Sequence, residues 1–208
     1  MGLSCRHLAC VRGAATLFSD IGFSLGGGDA LRVQGGNGSG KTSLLRLLCG
    51  LARPDQGEVC WQGETLARCR PLFHANLLYA GHAEALKPEL LAWENLAYGG
   101  LPGIRHSRAQ AYSCLEQMGL AAEAELPVRL LSQGQRKRVA LARLHLARQR
   151  PLWILDEPFS ALDQHALSSV TQLLGDHLAG GGLLVYTTHQ DAGPAPTQTL
   201  RLGREGAC

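Results

Sequence analysis

Residues Gly35 to Thr42 read GGNGSGKT, and glycines, a lysine and a hydroxyl at this spacing are suited to holding phosphate. Gly35, Gly36, Gly38 and Gly40 let the backbone turn tightly and bring its N–H groups, those of Asn37 and Ser39 among them, against phosphate oxygens. Lys41 then reaches the β and γ phosphates, and Thr42 offers its hydroxyl to Mg²⁺. Ser43 opens the helix whose positive end lies behind the loop. A second anion site is available in LSQGQ, Leu131 to Gln135. Ser132 followed three residues later by Gln135 is a capping box, which starts a helix with free N–H groups, and Gly134 permits close approach to that end. Any helix can begin in this way, so the pattern by itself does not require an anion.

Two carboxylates follow. In PLWILDEP, Pro151 to Pro158, Asp156 sits at the tip of an apolar run and can hold Mg²⁺ through water opposite Thr42. Glu157 precedes Pro158, which biases it toward an extended backbone and aims it at the crevice, where it would polarise an attacking water. Carboxylates at a buried strand end are expensive without a cation. Two histidines also follow short apolar runs: His82 after Leu77 to Tyr79, and His189 after Leu183 to Tyr186. A polar residue just beyond the C-terminal end of a core strand faces the ligand crevice of an α/β sheet, so His82 is a candidate for the metal and His189 for the γ-phosphate.

The elements that must position these groups are legible in outline. Ala30 to Val33 reads as a buried strand leading into the phosphate loop, and Ser43 to Cys49 as a leucine-rich helix stopped by Gly50. Leu3 to Leu8 and Ile21 to Leu25 read as a small antiparallel flap, in which Arg12 or Phe18 would lie over an adenine or serve as ordinary surface and core residues. Glu58 to Trp61 alternates as a short strand. Leu90 to Met118 is helical with a break at Gly99 to Gly103, and reads as an inserted lobe in which Leu90, Trp93 and Leu96 form core or line a groove for another protein. Ser160 to Asp163 turns into a helix running to Leu178; Gly180 to Gly182 reset the chain for the Leu183 strand, and Thr197 to Leu202 adds a last one.

With 208 residues there is room for one α/β domain with an appendage, and not for two nucleotide-binding units in tandem. The net charge of +3 is small and the arginines are dispersed, so no nucleic-acid partner is expected. Arg136, Lys137, Arg138, Arg143 and Arg148 share one helix with Val139, Leu141, Leu144 and Leu146, the pattern of a buried helix with a solvated basic side. No apolar run approaches the roughly 18 residues needed to cross a bilayer, and no charged-then-apolar leader opens the sequence. The seven cysteines lack C-x-x-C spacing and read as reduced, mostly buried side chains of a cytosolic protein.

Taken in order, GGNGSGKT, LSQGQ, WILDEP, SALD and a strand ending TTH resemble the nucleotide-binding domain of ATP-binding cassette (ABC) proteins over essentially the whole chain. The resemblance implies an α/β P-loop NTPase: a mixed central sheet flanked by helices, an antiparallel β flap and an inserted helical subdomain at approximately residues 83–150, all in one domain spanning 1–208. It also implies ATP and Mg²⁺, and a head-to-tail dimer with a second copy. ATP would lie between the phosphate loop of one subunit and Ser132, Gly134 and Gln135 of the other, and Asp163 would touch the opposite subunit. Glu157 would be the catalytic carboxylate and His189 the switch histidine. A separate transmembrane subunit would dock on the helical subdomain.

Within the family, GKTSLLRLLCGL, LLYAGHAEALKPELLAWENL, LSQGQRKRVALARL, RQRPLWILDEP and TTHQ are similar to cassettes of the cytochrome c maturation system. That likeness implies haem export or haem-chaperone release, other cytochrome c maturation proteins as partners, and a peripheral place on the cytoplasmic face of the inner membrane. His82 stands where most ABC proteins have glutamine, which puts the metal role of that position in doubt, and Arg12 stands where many have an adenine-stacking aromatic. Gln133 replaces a common glycine. The rival readings are a cassette for other cargo and a non-transport ABC module acting on DNA or ribosomes. The latter usually carries long coiled-coil insertions or paired cassettes, for which this chain has no room.

Overall fold

A computed structural model describes residues 2–13, 15–101 and 103–203. Its strands fall into two sheets. Four pair antiparallel in the order β2-β1-β4-β5: β1 (Gly2–Arg12), β2 (Ala15–Gly26), β4 (Gln56–Trp61) and the two-residue β5 (Glu64–Thr65). Five form the main sheet in the order β6-β7-β8-β3-β9: β3 (Ala30–Gln34), β6 (Leu77–Ala80), β7 (Leu152–Leu155), β8 (Leu183–Thr187) and β9 (Gln198–Arg201). Every pairing of these five is parallel. The central sheet is thus parallel among the described residues, and antiparallel pairing is confined to the second sheet. The antiparallel flap beside a central sheet is as expected, and the central sheet expected to be mixed pairs only in parallel among the described residues. The division follows from the connections, since helices lie between β3, β6, β7 and β8 in the chain while β1 and β2 form a hairpin.

β7 and β8 are buried along their whole length, as the near-continuous apolar runs LWIL and LLVYT require of strands covered on both faces. One face packs on α1 (Lys41–Leu48) and the antiparallel sheet, through Leu44, Leu45, Leu48, Ile154, Val185 and Trp61. The other carries Leu155, Phe159, Leu184 and Tyr186, and its core runs without interruption into α3 (Ala92–Gly99), α4 (Arg108–Gln117), α5 (Gln133–Leu146) and α6 (Gln164–Ala179). The helical segment therefore shares a core with the sheet, and Trp93 packs half-buried against it.

An element absent from the sequence reading is α2 (Leu66–Asn76). It carries Pro71, has non-helical dihedrals at Cys69 and buries only Phe73, which meets Trp61 edge-on at 5.8 Å. A mid-helix proline and one buried residue leave no helical periodicity to read. Cys5, Cys10, Cys49, Cys60 and Cys114 are buried and unpaired and Cys69 is half-buried, while Cys208 lies outside the described residues. Among the described residues no helix is long and apolar enough to cross a membrane.

Candidate active site

The phosphate loop joins β3 to α1, and its geometry leaves little freedom. Gly40 caps α1 at φ 97°, a left-handed conformation that favours glycine, and a Cβ there would lie 3.1 Å from the Phe18 ring. A Cβ on Gly35 would meet Ser39 Oγ and lie 2.5 Å from Leu202 O, whereas Gly36 and Gly38 face open space. The outer wall of the loop is thus clear for a ligand and the inner wall is packed. Ser39 Oγ, on that inner wall, is buried and has no hydrogen-bond partner. Lys41 Nζ donates to Gly35 O at 2.7 Å and Gly36 O at 3.2 Å, and lies 3.2 Å from His189 Nε2.

Phe18 is 6% exposed in the core beneath this loop, so of its two readings the core one holds and adenine stacking does not. Arg12 lies exposed at the tip of the β1–β2 hairpin, opposite Ala15, without a hydrogen bond to the phosphate loop.

Asp156 follows β7 and is 3% exposed. Its Oδ2 accepts from Thr42 Oγ1 and its Oδ1 from Thr187 Oγ1, both at 2.8 Å. The hydroxyl of Thr187 also accepts the Glu157 N–H at 2.8 Å, so one side chain ties the two carboxylate residues together. Thr187 was not singled out from the sequence; its only signal was its place at the end of the β8 run, one residue ahead of Thr188 and His189.

Glu157 departs from expectation. Its φ is 51°, left-handed rather than extended, although Pro158 follows it. Such a conformation costs a non-glycine residue about 1–3 kcal/mol and persists only where neighbours over-determine it. Here they do: the Glu157 carbonyl accepts from Lys137 Nζ at 2.8 Å and Ser160 Oγ at 3.0 Å, while its N–H is held by Thr187. The side chain turns toward β8. Its Oε2 accepts the His189 N–H at 3.3 Å, while its Oε1 is buried, 3.4 Å from His189 Nε2, and has no hydrogen-bond partner. That free oxygen is an acceptor in want of a proton donor such as water. Arg32 of β3 pins the loop beyond His189, donating to Gln190 O at 2.8 Å.

Thr42, Asp156, Glu157, Lys41 and His189 are therefore brought together by hydrogen bonds or close contact, and His82 is not. His82 is exposed two residues beyond β6 and makes no hydrogen bond to a described residue. Among the described residues no cluster of three or more histidines, cysteines or carboxylates could hold a metal. Thr42 and Asp156 supply hard oxygen donors that suit Mg²⁺, an ion that takes its remaining ligands from water and substrate phosphate.

The second motif folds as its capping box predicts. Ser132 Oγ accepts the Gln135 N–H at 3.2 Å, and Gln135 Oε1 accepts the Ser132 N–H at 2.8 Å. Gln135 Nε2 also donates to Glu123 at 2.9 Å, so that side chain is engaged within its own subunit. A Cβ on Gly134 would lie 3.0 Å from Ala161 O, so the close approach that this glycine allows is to the turn after Glu157. Ser132, Gly134 and Gln135 make no hydrogen bond to the phosphate loop of the same chain. Asp163 caps α6, at the end of the turn expected to lead into that helix. Its carboxylate accepts the Ala166 N–H at 2.8 Å, which holds its pKa below the ordinary value.

The arrangement can bind a polyphosphate on the loop, hold a hard cation beside it and present a buried carboxylate oxygen to water. A sequence profile of the ABC transporter family matches residues 18–160. The chain is 46% identical over 200 residues to the cytochrome c biogenesis ATP-binding export protein CcmA of Escherichia coli K12, covering 96% of this chain and 95% of that one. It is 44% identical over 201 residues to the protein of the same name from Haemophilus influenzae, covering 96% and 94%. Among solved structures, an ABC transporter ATP-binding protein from Pyrococcus furiosus superposes with a TM-score of 0.80 at 20% identity, over 97% of this chain and 98% of that one. A bacterial ABC transporter cassette solved as a dimer gives 0.78 at 24% identity, over 90% and 88%. With a family profile across most of its length, near-complete relatives and the fold of ATP-binding cassettes around a phosphate loop, the chain belongs to the ABC transporter family.

Proposed function

We propose that this cassette is the ATP-hydrolysing subunit of a membrane exporter that serves cytochrome c maturation, in haem export or release of a haem chaperone. The observation that carries the reading is the near-full-length identity of about 45% with proteins named for that process. The convergence of Lys41, Thr42, Asp156, Glu157 and His189 on one crevice supports the chemistry.

In this reading the N–H groups of residues 35–43 and the Lys41 ammonium bind the phosphates of ATP, and Lys41 exchanges its carbonyl partners for phosphate oxygens. Thr42 and Asp156 would hold Mg²⁺, which when bound neutralises charge on the phosphates. Glu157 Oε1 takes a proton from the water that attacks the γ-phosphorus in line. A bond forms from the water oxygen to phosphorus, and the bond to the β–γ bridging oxygen breaks. ADP and phosphate leave. His189 holds the γ-phosphate beside Lys41. Ser132, Gly134 and Gln135 would receive the ATP bound to a second copy, since they lie apart from the phosphate loop of their own chain. Asp163 would face that copy. The helical segment would dock on a separate transmembrane subunit, which places the protein peripherally on the cytoplasmic face of the inner membrane.

The test traps Glu157→Gln protein with ATP in its native membranes and purifies it by a tag. Recovery with a small membrane subunit and other cytochrome c maturation proteins is expected. Recovery with an unrelated permease would leave the ATPase chemistry intact and overturn the maturation role.

A further inference from the structure

The side chain of Lys137 lies on α5, the helix that begins at Ser132, and is only 7% exposed. It makes no salt bridge to a described residue. Its Nζ instead donates to the backbone carbonyl of Glu157 at 2.8 Å. Burial lowers its pKa, against the pull of Glu84, Asp156 and Glu157. A lysine kept in the interior for one carbonyl contact is costly, because a buried ammonium wants a carboxylate or several acceptors. Ordinary helix–sheet packing does not call for it. What sets this carbonyl apart is that it belongs to a left-handed glutamate.

The Glu157 peptide cannot keep that conformation by local preference. It is held on the N–H side by Thr187 and on the carbonyl side by Lys137 and Ser160. Of these three, only Lys137 is charged and only Lys137 comes from α5. It is also the stronger kind of donor, since a charged hydrogen bond is roughly twice as strong as a neutral one. One turn earlier, Gly134 brings the backbone of the same helix against Ala161 O, and Ala161 is itself left-handed at φ 60°. The first two turns of α5 thus grip the 157–161 turn at two points.

We infer that Lys137 is a positioning residue for hydrolysis: by fixing the Glu157 carbonyl it holds the carboxylate in its presenting conformation and ties it to the helix that starts at Ser132. The inference rests on the reading of Glu157 as the group that activates water. Lys137 makes no hydrogen bond to the phosphate loop, Thr42 included, so its effect falls on turnover and not on nucleotide affinity. Any shift of the α5 N-terminus is carried through a rigid helix and one ionic hydrogen bond to the base.

The experiment measures steady-state ATP hydrolysis and ATP binding by calorimetry in the full chain with its membrane partner. Lys137→Met keeps length and apolar packing and removes the donor; Lys137→Gln retains a neutral donor. The expected result is a 10- to 100-fold fall in kcat for Lys137→Met, an ATP Kd and KM within about twofold of wild type, and partial recovery in Lys137→Gln. In a Glu157→Gln background, Lys137→Met should add no further loss, because the group it positions is gone.

Wild-type kcat in Lys137→Met overturns the inference, as does a full additional loss in the double variant. Weakened ATP binding that accounts for the fall in turnover overturns it too. Loss of the folded state in both single variants would assign Lys137 to the core alone and also overturn it. Failure of the underlying reading looks different: Glu157→Gln alone would then turn over like wild type.

Discussion

Lys41 Nζ lies 3.2 Å from His189 Nε2, and since an ammonium only donates, this contact is a hydrogen bond when that ring nitrogen accepts. The same nitrogen is 3.4 Å from Glu157 Oε1, an oxygen that goes without a hydrogen bond. The loop lysine and the carboxylate therefore compete for one imidazole nitrogen. His189→Ala is expected to lower kcat about 10²- to 10³-fold with ATP affinity changed by no more than a few-fold, read by steady-state hydrolysis and calorimetry. A matching loss of affinity would make His189 a binding group instead.

Lys41→Ala acts on the other side of that contact. Losing a charge-assisted hydrogen bond to phosphate weakens ATP binding by about 1.5–3 kcal/mol, roughly 10- to 150-fold in Kd. Unchanged affinity in calorimetry would count against the phosphate cradle.

Glu157→Gln keeps the size and removes the base. Turnover is expected to drop about 10²- to 10⁴-fold while ATP still binds, and rapid hydrolysis by this variant in the presence of its membrane partner would exclude the assignment.

Thr187→Val is nearly isosteric and strips the hydroxyl that joins Asp156 Oδ1 to the Glu157 N–H. The Glu157 amide then loses its acceptor, at about 1–3 kcal/mol. A domain of this size should show it as a fall in Tm of about 2–10 °C, together with reduced turnover. A variant with wild-type Tm and activity would show that the bridge is dispensable.

The pH dependence of stability has a definite sign. Burial, with Arg148 adding, lowers the pKa of His145 from the ordinary 6.5 to about 4, and burial also lowers that of His177. In the unfolded chain these rings take up protons as pH falls through 6.5, while the folded chain resists until lower pH. Stability is thus full above pH 6.5 and drains away toward pH 4. Thermal melts across that range should show the decline, and His145→Gln should flatten it.

Several features were legible because they are local. The phosphate loop, the Ser132–Gln135 cap and the buried β7 and β8 runs each state their structure within a few residues. Glu157 is different. Pro158 argues for extended backbone, and the left-handed conformation wins through donors at positions 137 and 160 and an acceptor at 187, two of these three at least 20 residues away. The Lys41–His189 contact spans 148 residues and exists only because β3 and β8 are neighbours. Phe18 could not be assigned from sequence because an aromatic beneath a glycine loop and one above an adenine have the same local pattern. α2 was hidden by Pro71 and by having only one buried residue.

The strand order has a consequence for biosynthesis. Among the described residues β3, which leads into the phosphate loop, pairs only with β8 and β9, which begin at Leu183 and Gln198. While the ribosome is still making residues 35–182, the strand under the loop has neither of its hydrogen-bonded neighbours. The earliest part of the site to be synthesised is therefore among the last to be seated.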